Sequence, residues 1–244
     1  MEEALWAALV GFIAQMIDGA LGMGYGITSN SLLLSFGVPP AVASASVHVS
    51  EVFTTAASGA SHFKLGNVDK GLFVRLLAPG AACGFLGAYA LVSAPLEVIR
   101  PAVNLYLAAL GATIILRALR YGAAKRPAPK IGEIGLGGLG GFLDAVGGGG
   151  WGPIVTSTLV AAGHNPRTAI GSVNAAEFFV TLVQSAAFLV LLRSLPWAVV
   201  LGLIAGGVAA APIAARICGK LPPRAMMAAV GALVLALSAR NLIS

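Results

Sequence analysis

The chain has 244 residues, of which 58% are hydrophobic and only 10% charged. Soluble domains carry roughly 25% charged residues, so this chain has too little polar surface to cover itself in water. Its formal net charge of +6 falls between apolar runs rather than along one face, which excludes a nucleic-acid surface and reads as membrane topology.

Apolar runs fall at 5–17, 27–36, 42–63, 72–92, 98–119, 131–143, 153–162, 168–192, 196–217 and 224–243. Six of them (42–63, 72–92, 98–119, 168–192, 196–217 and 224–243) are long enough to cross a hydrocarbon core of ~30 Å. The other four are short and come as two pairs. The first pair is joined by a glycine loop running from Asp18 to Gly26, the second by one running from Asp144 to Gly152. Glycine costs ~1 kcal/mol relative to alanine at each helix-interior position, so both loops break the helix. Each pair is either one interrupted span or a re-entrant hairpin. The N-terminus starts on Glu2 and Glu3 and lacks the basic start of a cleaved signal peptide. Cys83 and Cys218 stand apart and form neither a disulfide framework nor a metal spacing.

The loops expose an internal repeat. A shift of 126 residues brings Asp18 onto Asp144, and Gly22, Gly24 and Gly26 onto Gly148, Gly150 and Gly152. Ser31 meets Ser157, Gly37 meets Gly163, Pro40 meets Pro166, and Glu51 meets Glu177. Over residues 18–55 there are 14 identities without a gap. Shared Gly and Ala are cheap in two apolar sequences, but aligned acids in a chain with nine acids are not. The chain therefore divides into a first membrane repeat (1–120), a basic cytoplasmic linker (121–130) and a second repeat (131–244).

Charge decides how the copies are oriented. If each broken element crossed once, the halves would be parallel and the 15 Lys and Arg would divide ten inside to five outside. If each is a re-entrant hairpin, three full crossings per half invert the second copy and the division becomes twelve to three. The fold expected is thus an all-α polytopic membrane protein of two inverted repeats, each a re-entrant helix pair plus three transmembrane helices.

Four acids lie inside membrane segments: Asp18, Asp144, Glu51 and Glu177. An ionised carboxylate at mid-bilayer costs ~2.5–3.5 kcal/mol even on the lenient insertion scale, so each needs a partner, a wet cavity or a proton. Ser44, His48, Glu51, Thr55 and Ser58 share one helix face, and Asn174, Glu177, Thr181 and Gln184 share the matching one. Such a stripe serves helix–helix hydrogen bonding or lines a transport path. Helix N-termini after a glycine loop offer free N–H groups to an anion. Pro153 suits a first helical position. The expected substrate-binding residues are Gly22, Gly24, Gly26, Ser31, His48, Gly148, Gly150, Gly152, Ser157 and Asn174. Glu51 and Glu177, with Asp18 and Asp144, are expected to handle coupling charge, although either aspartate also suits a structural cap. His48 has Asn174 as its repeat counterpart, an asymmetry that suits a directional or specificity role. Gly80 with Gly84, and Gly202 with Gly206, read as helix-packing positions. A channel with re-entrant selectivity loops fits the same repeat, and an intramembrane hydrolase using Asp18 and Asp144 fits it less well.

Several segments carry a resemblance. GFIAQMIDGALGMGYG at 11–26, GVPPA at 37–41, ASASVHVSE at 43–51 and GGGGWGP at 147–153 resemble the sulfite exporter TauE/SafE family. The resemblance covers essentially the whole chain. It implies a multi-pass permease of the bacterial cytoplasmic (inner) membrane for a small sulfur-containing anion such as sulfite or an organosulfonate, in a family assigned to export or import, with export expected here. A proton or a sodium ion would couple it, with no cofactor, no metal and no nucleic-acid partner. The glycine-rich faces permit a homodimer.

Overall fold

The computed structural model describes residues 2–21, 23–64, 66–120, 132–192, 194–217 and 222–243. Gly22, Cys218 and the basic linker read at 121–130 lie outside them. Among the described residues every regular element is helical. The first half comprises α1 (Glu2–Leu21), α2 (Tyr25–Ser35), α3 (Pro40–Lys64), α4 (Lys70–Ser93) and α5 (Leu96–Leu119). The second comprises α6 (Glu133–Gly147), a wide π-helical turn (Gly152–Thr156) that continues into α7 (Ser157–Ala161), α8 (Pro166–Leu191), α9 (Trp197–Ile217) and α10 (Pro223–Ile243).

The breaks fall at the glycine loops. Gly24 adopts φ +124° and Gly149 φ +141°, backbone that an L side chain rarely enters, so the helix cannot run through. Both short helices after the breaks end alike. The Gly37 N–H donates to Leu34 O (3.0 Å) and the Val38 N–H to Leu33 O (3.1 Å); the Gly163 N–H donates to Val160 O (3.1 Å) and the His164 N–H to Leu159 O (3.1 Å). These are the paired bonds of a Schellman stop at repeat-equivalent residues. Proline opens α3, α8 and α10, where its missing N–H costs nothing.

The structure corrects the sequence reading in two places. First, α1 has 20 residues, about 30 Å, rather than the short run 5–17, because Glu2 and Glu3 sit favourably in its first turn and the helix continues past Asp18. Second, the segment after the second loop is a π-helical turn plus a short α-helix, since Pro153 cannot donate a backbone bond. Among the described residues four helical stretches are long and apolar enough to cross a membrane: Lys70–Ser93, Leu96–Leu119, Thr168–Leu191 and Arg224–Ile243. α3 falls short because its polar side chains dilute it. Ser44, Ser46, His48, Ser50, Glu51 and Thr55 are buried, so neighbouring helices and not lipid cover that face.

Packing between the halves is reciprocal. α1 lies on α9, and its counterpart α6 lies on α4, the counterpart of α9. Glycine sets both contacts. A methyl at Gly11 would strike the Leu203 backbone, one at Gly137 the Leu76 backbone, and one at Gly202 the Ala7 side chain. α3 packs on its own counterpart α8, with His48 against Phe188, Gly59 against Ala175 and Asn67 against Gly171. Residue numbers rise on one helix as they fall on the other, so the two are antiparallel. α5 and α10 are also counterparts and also antiparallel, Asn104 meeting Asn241 while Gly111 meets Leu235. Leu5, Leu9, Leu86, Leu116 and Val190 stand on the outside, a surface suited to acyl chains.

Candidate functional site

Each glycine loop is bridged by its aspartate. Asp18, in the last turn of α1, accepts the Tyr25 N–H at 3.4 Å. Asp144, in the last turn of α6, accepts the Trp151 N–H at 3.0 Å. The carboxylate therefore reaches seven residues ahead and caps the first free N–H of the next helix, where the helix dipole favours negative charge. Glu51, from the middle of α3, reaches the start of α2, its Oε1 3.0 Å from where a Gly26 Cβ would lie.

The two loops touch backbone to backbone. A methyl at Gly26 would lie 2.7 Å from the Gly149 Cα and 3.0 Å from the Glu51 carboxylate, so only glycine lets the loops cross here. Asn30 of α2 donates to Gly147 O at 2.6 Å and ties the first short helix to the second loop. Tyr106 of α5 lies against Gly147 and Gly150 from the other side.

A cavity of about 220 Å³ opens at this crossing. All four membrane acids, Asp18, Glu51, Asp144 and Glu177, line it. So do Gly24, Gly26, Gly149, Gly150 and Gly152 of the loops, and Gln15, Thr54, Thr55 and Asn174 of the flanking helices. Among the described lining residues His62 is the basic group at the wall. Such a cluster must carry protons or cations, or hold its charge against nearby N–H donors, before a further anion enters.

Of the residues singled out from sequence, the structure brings together Gly24, Gly26, Gly150, Gly152, Asn174 and the four acids. Gly22 lies outside the described residues, and Gly148 is at the crossing, against Asn30, without lining the cavity. Ser31 is buried in α2 away from the wall. Ser157 instead accepts from the Arg117 guanidinium, which also donates to Pro153 O at 2.6 Å. His48 stands behind Asp144. Its Nε2 is 3.2 Å from Asp144 Oδ2 and its Nδ1 is 2.7 Å from the Ser44 carbonyl. A carbonyl only accepts, so Nδ1 carries a proton, and a bond from Nε2 to Asp144 requires a second proton on that pair. Gln184 donates to the same Asp144 Oδ2 at 3.1 Å. Asp18 has no counterpart of the His48 contact, because Asn174 replaces His48 and turns back to donate to Ile170 O at 3.0 Å.

Sequence reasoning missed Gln15, Tyr25 and Gly149, and gave no role to Arg117 or Tyr106. The repeat could have flagged Tyr25 through its alignment with Trp151. Gln15 lay one turn before Asp18 and carried no other signal. The packing glycines are used within the chain: Gly80 receives the Trp151 ring, Gly84 the Gln184 side chain, and Gly202 and Gly206 the backbone of α1.

An all-helical chain with membrane-length apolar spans, an apolar exterior and a polar, acid-lined cavity is a multi-pass membrane protein. The particular family follows from comparison. The chain belongs to the sulfite exporter TauE/SafE family, whose model matches residues 7–241. It is 45% identical over 252 residues to the probable membrane transporter protein YtnM of Bacillus subtilis (strain 168), a match covering 100% of this chain and 84% of that protein. No solved structure matches it.

Proposed function

We propose that the protein is a secondary transporter that exports a small sulfur-containing anion, sulfite or an organosulfonate, across the bacterial cytoplasmic membrane at the expense of a proton or cation gradient. The observation that carries this reading is the convergence of all four repeat-related membrane acids on one cavity at the crossing of the two glycine loops. A passive anion pore has no use for four carboxylates in its wall, whereas coupled transport needs groups that load and unload charge. The antiparallel packing of α3 on α8 and of α5 on α10 supports an inverted repeat, since an odd number of crossings per half turns each helix against its own counterpart.

Purified protein in liposomes would be loaded with sulfite or methanesulfonate, and an inward or outward pH or sodium gradient imposed. Saturable, gradient-driven movement of either anion is the expected result. Glu51→Gln and Glu177→Gln should each abolish coupled movement while the protein still folds. Movement of neither anion under any gradient refutes the substrate class; linear, gradient-independent flux favours a channel.

A further inference from the structure

The seam where α3 crosses α8 has two sides. One carries the acid-lined cavity, through Thr55, Asn174 and Glu177. The other is an apolar groove of about 440 Å³ between α3, α4 and α8. Its floor is small: a Cβ on Gly59 would stand 3.3 Å from the Ala175 Cα. Its walls are aromatic. Phe63 of α3 is 62% exposed on one side. On the other side three rings hold each other, Phe73 of α4 meeting Phe179 edge-on at 5.9 Å and Phe179 meeting Phe178 edge-on at 5.0 Å. Every described lining residue is Gly, Ala or Phe.

Helical spacing gives the groove a charged end. Lys64 lies four residues beyond Ala60, and Lys70 three residues before Phe73, so both share the groove's face of their helices. Both are exposed, and neither is in an ion pair among the described residues. The neighbouring charges are engaged elsewhere. The Asp69 carboxylate accepts the Leu72 N–H and sits beside Arg75, on the side of α4 turned from the groove, and Arg75 pairs with Glu133. α3 ends at Lys64, and α4, a membrane-length span, begins at Lys70. The two lysines therefore stand at the level of lipid headgroups, their stems along the apolar surface. From Lys64 the groove runs back eight residues to Ala56, about 12 Å into the hydrocarbon.

Apolar walls exclude a hydrated ion or a small anion, so the groove is no second path for substrate. They favour a methylene chain, and the lysines at the mouth favour negative charge. A second copy of this chain is the poorer occupant. A two-fold axis along the membrane normal would set Lys64 and Lys70 of one copy against the same lysines of the other. We infer that the groove holds an anionic phospholipid, with an acyl chain lying between Phe63 and Phe179 and the headgroup on Lys64 and Lys70. The site lies outside the acid-lined cavity, so it stands whatever substrate that cavity carries.

The test uses the full-length chain purified in detergent and titrated, under native mass spectrometry, with dioleoyl phosphatidylglycerol or dioleoyl phosphatidylcholine. Wild type should bind phosphatidylglycerol about 25-fold more tightly, since each lysine beside an anionic headgroup contributes about fivefold. Lys64→Gln combined with Lys70→Gln should bring the two lipids level. A reporter then locates the chain. Phosphatidylglycerol with brominated acyl chains should quench the tryptophan of Phe179→Trp more strongly than that of Phe85→Trp, a site exposed on α4 about 18 Å along the helix from Phe73. Equal affinity of wild type for the two lipids overturns the inference, as does a preference that survives the double lysine substitution. Equal quenching at the two reporters overturns it too, since the lipid would then coat the surface without a site. A dimer that excludes both lipids from Phe179→Trp gives the groove to a second copy instead. Should Phe179→Trp not fold, the exposed lysines decide alone.

Discussion

Asp18 and Asp144 occupy the same position of the repeat, yet the structure assigns them unequal weight, and replacing each by alanine measures the difference. Asp144 accepts Trp151 N–H at 3.0 Å and Gln184 Nε2 at 3.1 Å, and faces His48 Nε2 at 3.2 Å. It is 3% exposed, so water cannot replace it. Stranding a buried donor costs about 1–3 kcal/mol, and three partners lost from one centre give about 3–6 kcal/mol after allowance for non-additivity. Among the described residues Asp18 accepts one bond, at 3.4 Å, so its loss should cost about 1 kcal/mol. Both aspartates add negative charge near Glu51 and Glu177, so relief of that repulsion acts on both variants and largely cancels in the comparison. A net difference of about 2–5 kcal/mol corresponds to roughly 5–15 °C in a chain of this size. Thermal unfolding in detergent, followed by loss of the monodisperse peak, should place Asp144→Ala that far below Asp18→Ala. Equal shifts, or a larger one for Asp18→Ala, would refute the argument that tertiary partners and not the local cap hold the second loop.

Other outcomes follow from the packing and the caps. Gly141→Val should collapse the yield of folded protein, because any side chain there meets the Gly80 backbone, whereas Gly135→Ala, with open space around it, should raise the melting temperature slightly through helix propensity, by about 1 kcal/mol. Trp151→Ala should cost about 3–5 kcal/mol, since the ring is fully buried and its Nε1–H donates to Val173 O at 3.2 Å; an unchanged melting temperature would contradict this. Asp69 caps α4 by accepting the Leu72 N–H at 3.0 Å, and that bond, with lesser help from Gly71 N–H, Arg75 and His164, holds its carboxyl below the ordinary 3.8. Its contribution is therefore present above that value and lost as pH falls below it. Asp69→Ala should destabilise by about 1 kcal/mol at neutral pH, and the gap to wild type should close under acid.

The sequence by itself determined the medium, the two copies and the residues that matter. Low charge and long apolar runs need no tertiary information, because they follow from what each segment costs in water or lipid. The aligned Asp18 and Asp144, and Glu51 and Glu177, are visible because an acid in an apolar run is expensive and its repetition is not accidental. Gly24 and Gly149 mark breaks that local backbone energetics dictate. The run that becomes α3 reads as apolar by length, while its polar face is covered by neighbouring helices. Periodicity says which residues share a face and not what that face meets. Only the tertiary structure decided that the two loops cross, that Glu51 reaches the start of α2, and that Ser157 turns to Arg117. It also decided that symmetric sequence is used asymmetrically: His48 and Gln184 hold Asp144, while Asn174 turns away and leaves Asp18 with its local cap. Those pairings join residues about 40 to 100 positions apart, and distance along the chain carries no information about which of many chemically suitable partners the packing of the helices brings within hydrogen-bond reach.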